Sequence, residues 1–353
     1  MPQGSAVVVR FSSLGDVLLA AHVPSFLRAA DPGRRVLFVT KEQYAVALRG
    51  HPDIDRFYEL RDGTSDPAEP APFGFVGGLG DLVAALRREG IAEVIDLHQN
   101  LRSSRIVGAF DQAKRTLPQK HGLRRRLMVH ARWIRVKPVP PLLETYRFLA
   151  GLPPDAPIRP WLRDALTEGE RSRARARLGG DAERGFVFLG VGARWETKRW
   201  PARHFVALGG AIASELGLTV RYAIDPKERS LDAELRALLP EPRHAEIASL
   251  GFRDAAALAA EASAIVSNDS ALLHLGPALG VPALGIFGST VPAFGFAPQG
   301  PRDSVVEIPL GCRPCDVHGK RRCPLSHHAC MERLLPELVL ASLRPLVVAR
   351  RAG

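Results

Sequence analysis

No run of about 18 consecutive apolar residues occurs in this 353-residue chain, so no segment is expected to cross a membrane as a helix. The N-terminus enters an apolar strand broken by Arg10 and Asp16 and carries no signal-peptide pattern, so export by that route is not expected. Cysteine is confined to four residues between Cys312 and Cys330, and disulfides are not expected in a chain with no export signal. No Gly-x-Gly-x-x-Gly follows either opening strand, which disfavours a dinucleotide oxidoreductase. No Asp-x-Asp pair stands beside a strand end to hold a metal–diphosphate complex. Helix-turn-helix, zinc-finger and RNP patterns are also missing, and no nucleic acid partner is expected.

What is present is a soluble, globular composition, 46% hydrophobic and 24% charged, with a net charge of +11. Part of the excess is clustered: Lys114, Arg115, Lys120, Arg124, Arg125, Arg126, Arg132, Arg135 and Lys137 lie in one stretch without Asp or Glu. A solvated helix face, a nucleic-acid surface and a surface for anionic lipid are the three readings. Leu127, Met128 and Trp133 among these charges suit phosphorylated lipid headgroups, where each Lys or Arg contributes about 1 kcal/mol.

The length suits two domains. Strand-like runs Val7–Val9, Val36–Thr40 and Val94–Leu97 alternate with helical stretches such as 17–29 and 79–88. Residues 61–78 read as a turn-rich loop. Seven prolines between Pro138 and Pro160, around one helical stretch at 142–149, read as a stiff connection. A basic helix at 168–178 then leads into a second alternating set: Phe186–Val191, Thr219–Ile224, Ala264–Ser267 and Ala283–Phe287. The expectation is an N-terminal domain at 1–160, a C-terminal domain at 161–330, and a closing amphipathic helix from 331 that packs back across the boundary. Both domains read as α/β, Rossmann-like and doubly wound, facing a cleft.

The segment Ser267-Asn268-Asp269-Ser270-Ala271-Leu272-Leu273-His274-Leu275 lies between two apolar runs and reads as a strand, polar turn and short helix. A helix opening at the carboxyl end of a parallel strand points free N–H groups at the crevice, where nucleotides and phosphates bind. An ordinary turn that binds nothing fits the same pattern. Three more blocks accompany it: Val7–Val17 with Ser12-Ser13-Leu14-Gly15-Asp16, Asp96–Ser103, and Gly192–Pro201 with Thr197-Lys198-Arg199-Trp200-Pro201. Together, and in this order, the four resemble glycosyltransferase family 9, the ADP-heptose:lipopolysaccharide heptosyltransferases. The resemblance runs from residue 7 to about residue 335 and implies the GT-B arrangement.

Transfer of a sugar from a nucleoside diphosphate requires a base for the acceptor hydroxyl, positive charge for the leaving diphosphate, and groups that hold donor and acceptor in line. The resemblance makes Asp16 the catalytic base of an inverting reaction, and helix capping is the alternative use of the same residue, with Ser12 or Ser13 able to share that task. It places Thr197 and Lys198 on the donor diphosphate, with Arg194 and Arg199 as weaker candidates. It puts Asp269 on sugar hydroxyls and Ser270, Ala271 and His274 beside the donor. Ala271 stands where the family usually has glycine, which narrows the approach. Glu228 keeps roughly the spacing of a ribose-binding glutamate, without the glycine pair that usually precedes it. On the acceptor side the matching residues are Ser12, Ser13, Asn100 and Arg102.

Cys312-x2-Cys315-x7-Cys323-x6-Cys330 has a spacing compatible with a structural zinc site or with reduced cysteines packing a loop. No cofactor is expected to be required. The function implied is transfer of heptose from ADP-heptose to the anionic, lipid-linked core of lipopolysaccharide, by a cytoplasmic protein peripheral to the cytosolic face of the inner membrane. A GT-B enzyme of other donor and acceptor, and a non-catalytic basic Rossmann-like protein that binds polyanions, are the alternatives.

Overall fold

The structure, a computed structural model, describes residues 4–61, 74–131 and 136–351. Among these the chain divides into two units. One runs to Lys120 and includes Leu142–Ala165; the other takes His121–Pro141 and the chain from Leu166 onward.

The first unit is a six-stranded, all-parallel sheet of β1 (Ser5–Val9), β2 (Val36–Lys41), β3 (Arg56–Leu60), β4 (Gly74–Gly77), β5 (Ile91–Asp96) and β6 (Lys114–Thr116). Its strand order is β4-β3-β2-β1-β5-β6. The second sheet holds β7 (Phe186–Gly190), β8 (Thr219–Ile224), β9 (Ile247–Ser249), β10 (Ala264–Asn268), β11 (Ala283–Ile286) and β12 (Ser304–Val306), again all parallel, in the order β12-β11-β10-β7-β8-β9. The central strands are continuous apolar runs because helices cover both of their faces. Val7 and Val9 belong to the core on one side of the first sheet, and Val187 and Leu189 to its counterpart in the second, with the intervening residues buried on the opposite side.

The structure departs from the expectations in five places. The proline-rich stretch is no simple connection: the helix Leu142–Leu149 packs on the helix His22–Ala30, and Trp161 is fully buried. Its apolar residues outweigh the stiffness of its prolines. The stretch 121–141 groups with the second unit. Val139 N donates to Ala293 O at 2.9 Å, and the Arg125 guanidinium lies 4.6 Å over the Phe296 ring. The closing helix is split at Pro336: Ala329–Glu332 is one turn and Pro336–Arg351 the main helix, which lends Val339, Leu340 and Leu343 to the second core. Likewise the expected helix 17–29 is two, Leu14–Ala20 and His22–Ala30. β4 falls within the glycine-rich stretch read as a loop. Residues 62–73, Arg132, Trp133 and Arg135 lie outside the described residues.

His51 fastens Trp161 to the first unit. Its ring stacks on the indole at 4.5 Å, its Nε2 bonds Ala21 O at 2.8 Å, and its Nδ1 accepts from Asp53 N at 3.1 Å. Burial drives its pKa from the ordinary 6.5 down to about 4, and the Ala21 bond recovers only part of that. Below pH 6.5 the unfolded chain therefore takes up a proton that the folded one refuses. Stability contributed by this residue falls as pH drops from 6.5 toward 4, by roughly 3 kcal/mol in all. Urea unfolding of wild type and His51→Gln across that window should show a steeper acid loss in the wild type; parallel curves would exclude His51 as the source.

Candidate active site

In a doubly wound sheet the crevice opens where the strand order reverses. In the first unit that point lies between β1 and β5, so the segments after Val9 and Asp96 form its rim. Arg10 joins them. Its Nη1 donates to Leu97 O at 2.6 Å, its Nε to Ser12 O at 2.8 Å, and its Nη2 lies 2.8 Å from Asp16 Oδ2. Ser13 caps the helix Leu14–Ala20, and both its N–H (3.1 Å) and its hydroxyl (2.9 Å) donate to the same Asp16 oxygen. Asp16 therefore fills its capping role through Oδ2 alone. Burial would raise the Asp16 carboxyl, but the Arg10 charge and the Ser13 bonds outweigh it and hold the pKa below its ordinary value.

The other acceptor-side candidates divide. Asn100 Oδ1 accepts from Arg102 N and Ser103 N, both at 2.9 Å, and so caps the helix Leu101–Gly108. Arg102 is exposed on that helix. His98, in the same block, packs edge-on against Phe11 at 5.0 Å; burial and then Arg10 lower its pKa.

In the second unit the order reverses between β7 and β10. Here Asn268, fully buried, joins the two segments: Oδ1 accepts from Trp200 N at 2.9 Å and Nδ2 donates to Val191 O at 2.7 Å. The next residue, Asp269, meets Lys198 Nζ at 2.6 Å and Thr290 Oγ1 at 2.7 Å, both through Oδ2. Lys198 and Asp269 are thus brought together. Ser270 and Ala271 open a single 3-10 turn, Ala271–His274, and remain partly accessible. His274 is buried at the end of that turn, where the short helix Leu275–Leu279 begins.

Thr197 is also buried, and its hydroxyl accepts from Lys320 N at 2.8 Å. Its contacts are with the cysteine-rich loop. Glu228 lies under the segment after β7. A Cβ on Gly192 would meet the Glu228 carboxylate, so glycine here lets that side chain lie against the backbone. Burial raises the Glu228 carboxyl, and Arg199, 3.3 Å away, lowers it less. Arg199 is committed there and to Ala193 O at 2.7 Å, while Arg194 lies over the Trp195 ring.

Sequence reading missed Arg10, Asn268, Thr290 and Arg313. Each is a polar residue at or just beyond a strand end or in a loop, and the signal for the first three was that position. The four cysteines form no disulfide, and the nearby thiols act on one another: burial and then Cys323 and Cys312 raise Cys315, and burial pushes Cys330 up to about 11. Among the described residues no group of three or more His, Cys, Asp or Glu is placed to hold an ion.

Two doubly wound parallel sheets, each with charged groups gathered at its reversal, define the doubly wound α/β class. Residues 80–325 match glycosyltransferase family 9 (heptosyltransferase), and the chain belongs to that family. Lipopolysaccharide heptosyltransferase 2 of Escherichia coli K12 is 27% identical over 199 residues, 54% of this chain and 55% of that one. Lipopolysaccharide heptosyltransferase 1 of Pseudomonas aeruginosa is 32% identical over 189 residues, 48% and 50% of the two chains. The chain spans about half the length of the curated relatives it matches. The solved E. coli ADP-heptose lps heptosyltransferase II superposes with a TM-score of 0.72 at 21% identity, over 98% of this chain and 99% of that one, and shows the shared GT-B fold of two Rossmann-like domains.

The Asn268 bonds are buried and joined to backbone groups that have no route to water. Asn268→Ala should cost about 2–4 kcal/mol, read as a lowered urea midpoint with unchanged slope. A loss under about 0.5 kcal/mol would mean that the segment after β7 is held by other contacts.

Proposed function

We propose that the chain is an inverting heptosyltransferase that moves heptose from ADP-heptose to the inner core of lipopolysaccharide, with Asp16 as general base. What carries this reading is that the base and the cation the reaction needs each stand at a strand reversal: Asp16 at β1/β5, and Lys198 on Asp269 at β7/β10. Family membership supports the reaction class. A solved relative with the same fold, E. coli heptosyltransferase WaaC, is described with ADP (TM-score 0.63).

In this scheme Asp16 Oδ1, opposite the oxygen held by Arg10 and Ser13, takes the proton of the acceptor hydroxyl. The hydroxyl oxygen attacks the anomeric carbon from the face opposite the diphosphate, the bond to the diphosphate breaks, and configuration inverts. Lys198 carries the compact positive charge that meets the leaving group. Sugar hydroxyls compete with Lys198 for Asp269, freeing the ammonium toward phosphate. Ser270 and the N–H groups of the turn after it supply further donors, and Glu228 faces the ribose. Thr197 orders the backbone next to Lys198. No step calls for a divalent ion, and any zinc held by Cys312, Cys315, Cys323 and Cys330 would stabilise its loop without entering the transfer.

Asp16→Asn should lower turnover at least ~10²-fold while ADP-heptose binding stays near wild type, since a base on the acceptor side acts only in the transition state. Lys198→Ala should reduce both, and EDTA neither. Near-normal turnover of Asp16→Asn in a coupled ADP-release assay would remove the general base from this mechanism.

We also propose contact with anionic lipid at the cytosolic face of the inner membrane. The helix Gly122–His130 leaves Leu123, Arg126 and Leu127 exposed, with Lys137 exposed nearby in sequence. Arg125 is a poor probe of that contact, because it bonds Phe294 O at 3.0 Å. Arg126→Glu with Lys137→Glu should release the protein from vesicles containing phosphatidylglycerol at physiological salt, where screening sets in at about 8 Å. Transfer to a soluble truncated acceptor should be unaffected. Unchanged sedimentation with vesicles would place the membrane surface elsewhere.

A further inference from the structure

The cysteine-rich loop reaches both segments whose side chains converge on Asp269. At one end is Arg313, its side chain 5% exposed. Its guanidinium donates to Phe287 O at 3.2 Å, to Thr290 O at 2.9 Å, to Gly288 O and to Ile308 O, and pairs with Glu307 at 2.6 Å. Cys315 N adds a bond to Ser289 O at 3.0 Å. The acceptors from Phe287 to Thr290 trace the segment that follows β11, and the Thr290 hydroxyl bonds Asp269; Glu307 and Ile308 lie just after β12.

At the other end the loop pairs with Thr197, the neighbour of Lys198. Lys320 N donates to Thr197 Oγ1, Thr197 N donates to Lys320 O at 3.2 Å, and His328 Nε2 lies 3.3 Å from Thr197 O. Gly319, at φ +103°, passes so close to Trp195 that a Cβ would stand 2.8 Å from the Trp195 Cβ.

We propose that residues 313–328 brace the donor site, with Arg313 and Gly319 as positioning residues that set Thr290 and Lys198 on Asp269 from opposite sides. A guanidinium has five N–H donors in a rigid fork, which suits it to fix several carbonyls of one segment at once. Without it those carbonyls are buried and unpaired, and the segment must move to recover water or other donors. On the Thr197 side the loop forms a two-way backbone and hydroxyl pairing that holds the turn bearing Lys198. The brace rests on the reading of Lys198 and Asp269 as donor ligands, and it gives the cysteine segment a place in donor binding that does not depend on a metal.

Calorimetric titration with ADP tests it. Arg313→Met and Gly319→Ala, at the loop's two points of contact, should each weaken ADP binding by about tenfold, because displacements near 1 Å are felt strongly by positioned groups. Gly319 is itself buried against Trp195, so the melting temperature of each variant is read beside its titration, and a variant that stays folded carries the test. In a Lys198→Ala background Gly319→Ala should cost little more, since both act through the same ammonium. A folded Gly319→Ala that binds ADP within twofold of wild type overturns the brace. So does a full, additive loss in the Lys198→Ala background, which would mark a general loosening of the unit. If Lys198→Ala alone binds ADP as wild type does, the donor-site reading fails and the brace fails with it.

Discussion

Where the strand order of a parallel sheet reverses, the connections on either side leave toward opposite faces, and the strand ends between them stay uncovered. Both units meet this constraint in the same way: one buried or half-buried polar side chain joins the two segments that flank the gap. In the first unit Arg10 reaches from the end of β1 to Leu97 O, beyond β5. In the second, Asn268 at the end of β10 reaches Trp200 N and Val191 O, beyond β7. A neutral amide suffices in the second because it both donates and accepts, matching one free carbonyl and one free N–H. In the first unit the groups to be joined are two carbonyls and a carboxylate, all acceptors, and only a multiple donor can serve.

The two carboxylates beside these joints differ in the mobility of their cations. Arg10 is fixed by Leu97 O and Ser12 O as well as by Asp16, so Asp16 keeps its positive partner throughout. A carboxylate held this way is ionised at neutral pH but a weak proton acceptor. In the proposed mechanism, proton transfer from the acceptor hydroxyl therefore comes late, when the attacking oxygen has already become acidic through bonding to the anomeric carbon. Lys198, by contrast, is a single ammonium on a flexible stem with 15% of its side chain exposed, and it can exchange Asp269 for phosphate without breaking a fork of bonds. The proposed mechanism thus gives the base a fixed cation and the leaving group a movable one, with arginine in one unit and lysine in the other.

The long inner strands were legible in the sequence because burial on both faces writes an uninterrupted apolar run, as at Val7–Val9 and Phe186–Val191. The edge strands were not. β6, β9 and β12 have three residues each, too few for any period, and β4 is rich in glycine. The four motif blocks sit where the reversals require them, and Asp16, Lys198 and Asp269 could be picked out because strand ends concentrate chemistry. Thr197 and His274 show the limit of that logic. Thr197 has its hydroxyl turned to Lys320, 123 residues away in sequence, a contact that no local pattern announces. His274 is buried at the end of a 3-10 turn, where the sequence reads as a short regular helix. Arg313 was hidden for a different reason: in a chain rich in arginine, nothing distinguishes one whose side chain is enclosed.

The segment after β11 ties the donor contacts to the basic stretch. Thr290 bonds Asp269, and three residues on Ala293 O accepts from Val139 N, while Phe294 O and the Phe296 ring take up Arg125. The helix Gly122–His130 is therefore anchored in the same unit as Lys198 and Asp269, although first-unit segments flank it on both sides in sequence. Its exposed Arg126, Leu123 and Leu127 stand on a helix that the bonds to Phe294 and Ala293 hold to the second unit. Thr290 lies beside residues 291–296, and Arg313 donates to its carbonyl from the cysteine-rich loop at 2.9 Å. The single segment after β11 thus joins three parts of the second unit: the Asp269 contact, the basic helix and the loop of four cysteines.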